Sequence, residues 1–160
     1  MQAEAERAFL RHVLAVIAYR AGRVLRAAPP EFAAFRSGER GRTPSEIVAH
    51  LGDLLDWSLT LANGAQAWRE TPPAAWDREV PRFFAALGAL DERLAAPTPL
   101  GCPAERLFQG PLADALTHVG QLAMLRRLAG SPVRGENFLV ADIAVGRVGL
   151  EQAAPRREFD

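Results

Sequence analysis

Apolar positions recur at three- and four-residue intervals over four stretches of this chain, each closed by proline or glycine, and this pattern predicts amphipathic helices. The first, residues 4–27, places Phe9, Val13, Val16, Ile17 and Val24 on one face and stops at Pro29-Pro30, where the ring removes a backbone donor. The second has an explicit start: Thr43 as N-cap, Pro44 at the first helical position and Glu46 three residues beyond the cap form a capping box, and the helix runs on to Gly64. The third, residues 77–96, follows Thr71-Pro72-Pro73, directs Val80, Phe83, Phe84, Leu87, Leu90 and Leu94 inward, and ends at Pro97-Thr98-Pro99. The fourth, residues 111–129, aligns Asp114, His118, Leu122 and Leu125 and ends at Gly130-Ser131-Pro132. Four such helices predict an all-α, four-helix bundle.

The connections are less regular. Residues 29–42 contain Phe32, Phe35 and Arg36, too apolar for a solvated linker, and are expected to fold over one end of the bundle as a lid or a short helical turn. The C-terminal tail, residues 131–160, carries a neutral apolar stretch at 138–146 whose periodicity fits either a short helix or an extended docking segment. No internal repeat or second domain is visible, so residues 1–160 read as a single domain.

Composition narrows the functional classes. A chain of 160 residues is long enough to bury a core without disulfides. Its 19 basic and 19 acidic residues balance, so there is no bulk cationic field to attract nucleic acid or an anionic membrane surface. Every basic residue is arginine, and the arginines are scattered, a bias that says little about function. The single cysteine, Cys102, excludes an intrachain disulfide framework and has no adjacent basic residue to stabilise a thiolate, so it reads as inert. No apolar run approaches the roughly 20 residues that span a bilayer. The N-terminus opens acidic and amphipathic, unlike a secretory signal, and a cytoplasmic protein is the expectation.

Candidate chemistry concentrates on two histidines and a carboxylate. Asp114 and His118 are four residues apart and share one face of the fourth helix. His50, within Ile47-Val48-Ala49-His50-Leu51, lies along the stripe of Ile47, Leu51, Leu54, Ser58 and Leu61 and faces inward. Two imidazoles and one carboxylate form a ligand set for zinc, iron, nickel or manganese that leaves positions open for water or substrate. The competing possibility is a hydrogen-bonded His–Asp cluster that satisfies itself without metal, and both remain open on the sequence. Gln121, one turn beyond His118, and Asp53, one turn beyond His50, are candidates for orienting a ligand. Asp56 is expected in solvent and His12 at the surface of the first helix. Trp57, Trp68 and Trp76 fall on different elements with no basic stripe beside them, and read as packing residues.

The chain resembles the DinB-like superfamily of four-helix bundles, which includes YfiT-like bacillithiol- and mycothiol-dependent enzymes. The resemblance covers most of the chain and rests on His50 in the second helix and on His118-Val119-Gly120-Gln121 with its continuation Leu122-Ala123-Met124-Leu125 in the fourth. In metal-binding relatives a second histidine usually stands four residues before the matched one; here that position is Asp114. The resemblance implies a divalent metal held by His50, Asp114 and His118, transfer of a low-molecular-weight thiol to an electrophile or hydrolysis by metal-bound water, and a homodimer paired through its helices. The alternative is a metal-free protein that binds a small molecule or serves as a dimeric scaffold.

Overall fold

Residues 1–159 are described by a computed structural model, in which four long helices pack around one core. Helix α1 spans Gln2–Leu25, α2 Pro44–Ala62 and α3 Trp76–Ala95; a short α4, Ala104–Leu107, leads through a wide turn at Phe108–Leu112 into α5, Ala113–Leu128. Around the ring, α1 neighbours α3, α3 neighbours α2, α2 neighbours α5, and α5 closes on α1. The consecutive pair α1 and α2 therefore lies on a diagonal, and the connection between them crosses one end of the bundle. Its Pro30–Ala34 segment forms one 3-10 turn that buries Phe32 against Trp76, with ring centroids 6.0 Å apart. Among the described residues no helix is long and apolar enough to cross a membrane.

The start of α2 follows the capping chemistry of its sequence. The Glu46 amide donates to Thr43 Oγ1 at 3.2 Å, and the Thr43 amide donates to Glu46 Oε2 at 2.6 Å. Helix α1 departs from a one-faced amphipathic element. Phe9 is 57% exposed and stacks edge-on against Phe108, while Leu10, Leu14, Ile17, Ala18 and Ala21 are buried. Tyr19 is buried as well, because the C-terminal tail covers a second face of the helix.

The fourth helical region begins earlier than its pattern of residues predicts. Pro111 suggested a first helical position, yet helix starts at Ala104 and passes through it. The wide, π-type turn at Phe108–Leu112 absorbs the hydrogen bond that a proline without an N–H cannot make.

The tail is an extended docking segment with one 3-10 turn at Phe138–Val140. Gly135–Glu136 (β1) pairs antiparallel with Glu158–Phe159 (β2), Gly135 opposite Phe159. A Cβ at Gly135 would lie 2.5 Å from the exposed Phe159 ring, so a larger residue there would push that ring aside. The tail is fastened at Glu136, whose buried carboxylate accepts from the Tyr19 hydroxyl at 2.8 Å and pairs with Arg23 at 3.1 Å.

Polar ties also join the helices. Arg11 of α1 makes a bidentate pair with Asp91 of α3 at 2.8 and 2.9 Å. Arg126 of α5 is buried, donates at 2.7 Å to the Val24 carbonyl near the end of α1, and satisfies a carbonyl that the helix leaves free.

Candidate metal centre

His50 comes from the middle of α2 and Asp114 and His118 from the first turns of α5, two helices that the ring order makes neighbours. One ligand atom from each of the three side chains lies within 4.8 Å of the other two. His50 Nε2 is 3.6 Å from Asp114 Oδ2, and His118 Nδ1 is 3.3 Å from Asp114 Oδ1. The imidazole centroids stand 4.6 Å apart with the rings tilted by 58°. A metal with bonds of about 2.1 Å spaces tetrahedral ligands by about 3.4 Å, so a set that spreads up to 4.8 Å must draw together to hold an ion.

The tautomer of His118 follows from its local partner. Nδ1 lies 2.9 Å from the backbone carbonyl of Asp114 one turn earlier. A carbonyl only accepts, so the proton sits on Nδ1, and the lone pair of Nε2 is free for a metal. Backbone support of this kind fixes the ring of a ligating histidine. Burial lowers the proton affinity of His50; the facing His118 and the cation of Arg42 add to the effect, against the opposing pull of Asp114. His50 is thus held neutral below the usual histidine range, the form a metal needs.

Exposure grades across the triad. The His118 side chain is 11% exposed, that of His50 21% and that of Asp114 46%. Asp114 therefore looks into solvent rather than into a sealed core. The His50 ring also forms part of the wall of a cavity of about 240 Å³, together with Arg42, Asp53 and Thr71.

Asp53 is buried, yet it is engaged elsewhere. Its carboxylate takes Arg82 at 2.5 Å on one oxygen and the Thr71 amide at 2.9 Å on the other. Arg82 also reaches Asp56 at 2.9 Å, Glu79 at 3.3 Å and the Ala49 carbonyl at 3.2 Å, and so ties α3 to α2 and to the loop between them. Gly52 makes room for it, since a Cβ there would stand 2.9 Å from the guanidinium. Asp56 is exposed, as expected, but paired. Gln121 is exposed on α5, and His12 is exposed on α1. Cys102 is half-buried, and that burial raises its thiol pKa.

Trp68 is the contributor that the sequence pattern missed. It lies in an exposed loop between α2 and α3, edge-on to His50 with ring centroids 5.8 Å apart and edge-on to Trp57 at 5.7 Å. Trp57 and Trp68 thus build one aromatic wall beside His50, while Trp76 packs under the 3-10 turn. A tryptophan in a polar loop gives no periodic signal of where it folds back. Compared with protein-family models, curated proteins and solved structures, nothing matches this chain.

Proposed function

We propose that the chain is a DinB-like protein that holds one divalent metal with His50, Asp114 and His118 and uses it to transfer a low-molecular-weight thiol to an electrophile. Support comes chiefly from one observation, the convergence of three ligand atoms from two helices within 4.8 Å. A bound divalent ion would supply the Lewis acidity that deprotonates a coordinated thiol near neutral pH. The chain's own residues do the rest. His118 offers Nε2 because the Asp114 carbonyl holds the proton at Nδ1, His50 offers its lone pair against weakened competition from a proton because burial lowers its pKa, and Trp68 shields the His50 ring on one side.

A metal-free scaffold is the competing proposal, favoured by the carboxylate of Asp114 standing within reach of both imidazoles. Elemental analysis of protein purified without chelator separates the two, with about one metal per chain expected for the metalloprotein. Metal titration of variants sharpens the test: His50→Ala and His118→Ala lose stoichiometric binding, because too few ligands remain for an open site. Asp114→Ala weakens affinity by about tenfold or more, and Asp114→His preserves or strengthens it. A wild type that takes up no zinc, nickel, iron or manganese overturns the metal proposal. Because Asp114 is half-exposed, water can replace its contacts, and Asp114→Ala leaves the thermal stability of the metal-free protein nearly unchanged.

A further inference from the structure

The side of α5 turned away from the triad carries a second constellation. At about 100° per residue, Leu116, Gly120, Ala123 and Arg127 fall opposite Asp114 and His118. Between this face, the second half of α1 and the tail lies a cavity of about 220 Å³. Its apolar wall includes Val24, Leu116, Val119 and Ala123, and four arginines also line it: Arg20, Arg23, Arg127 and Arg134.

These cations are not equivalent. Arg23 is committed to Glu136 and Glu158, and Arg134 lies 3.6 Å from Glu158. Glu136, the acid in the cavity wall, is saturated in turn: Tyr19 donates to both of its oxygens, Arg23 pairs with it, and the Arg156 amide approaches at 3.4 Å. Arg20 is different. Its guanidinium stacks on the Phe138 ring 4.0 Å from the centroid, no carboxylate pairs with it among the described residues, and its Nε is buried without a hydrogen-bond partner. Arg20 as a whole is only partly buried, so the rest of its guanidinium faces the cavity with no ion pair of its own. Arg127 stands at the same cavity, exposed and likewise without a carboxylate.

We propose that this cavity is a binding site for a small monocarboxylate with a compact apolar body, the carboxylate held by Arg20 with Arg127 at the rim and the body seated against Val24, Leu116, Val119 and Ala123. The volume lies below that of pockets for drug-sized ligands, which limits the occupant to a single ring or a short chain. The combination of an apolar wall with a guanidinium fork selects a carboxylate over a neutral molecule of the same shape. This site does not depend on the metal centre, which uses the opposite face of α5.

Calorimetric titration with sodium benzoate, and with benzamide as its neutral isostere, tests the proposal. Wild-type protein is expected to bind benzoate about tenfold more tightly than benzamide, the contribution of one charge-assisted hydrogen-bonded contact. Arg20→Gln removes the preference. Since that change also disturbs the Phe138 stack, Ala123→Phe provides an independent arm: it fills the cavity from α5, leaves Arg20 in place and abolishes benzoate binding. His118→Ala retains the affinity, which excludes benzoate acting as a ligand of a metal at the triad. Equal affinities for benzoate and benzamide in the wild type, undiminished binding in Ala123→Phe, or loss of binding in His118→Ala would overturn the assignment.

Discussion

Tyr19 is the chain's single tyrosine, and it is fully buried with its hydroxyl on Glu136. Burial first, and the hydrogen bond to that carboxylate second, push its pKa up to about 12. The neutral phenol is the form that fits, so its stabilisation is complete below the ordinary value near 10 and is lost as pH rises from there through about 12. Tyrosinate absorbance therefore reports this one residue: a midpoint near 12 is expected, and one near 10 would mean that the tail does not cover α1. Tyr19→Phe leaves the Glu136 carboxylate short of a donor and should cost about 1–3 kcal/mol in thermal or denaturant unfolding. Legibility at this scale was uneven. The spacing of Asp114 and His118 and the helical face of His50 placed three candidate ligands where they converge. Tyr19, Arg20 and Glu136 were invisible because their partners lie across the tail, far away in sequence.

At the scale of elements, caps and breakers were readable because they act locally. Thr43, Pro44 and Glu46 determine the start of α2 within four consecutive residues, and both reciprocal hydrogen bonds are present. Thr43→Ala should lower stability by about 1 kcal/mol, read from the denaturation midpoint. The amide and hydroxyl of Thr43, bonded to the Glu46 carboxylate, hold its pKa below the usual range. The carboxylate's contribution is present above the ordinary glutamate pKa and is lost as pH falls through the depressed value. Wild type should consequently lose stability on acidification more steeply than Glu46→Gln; parallel curves would remove the capping box from the acid response. Local signals misled in the fourth helical region. Proline opens helices more often than it interrupts them, and nothing within a few residues of Pro111 distinguishes a first position from an interior one relieved by a wide turn.

For the whole molecule, amphipathic periodicity was enough to predict four packed helices, but not their order around the ring or the course of the tail. Order depends on which faces complement one another across long sequence separations, and on pairs such as Arg11 with Asp91 that no local pattern announces. The diagonal placement of α1 and α2 has a consequence in time. No hairpin can form between the first two helices, and α1 finds its neighbours, α3 and α5, only after the intervening chain has been brought together. Among the four long helices, the pair adjacent in both sequence and space is α2 with α3, stapled by Arg82 to Asp53 and Asp56. Loop-closure entropy favours that pair as the place where ordering begins. Truncations of buried leucines in these two helices, such as Leu55→Ala and Leu87→Ala, should slow refolding, whereas Leu14→Ala in α1 should chiefly accelerate unfolding. Stopped-flow chevrons that reversed this division would place the nucleus at the N-terminus. With the order as the packing implies, a chain emerging residue by residue must hold its first helix unpartnered until α3, which ends at Ala95, has been made.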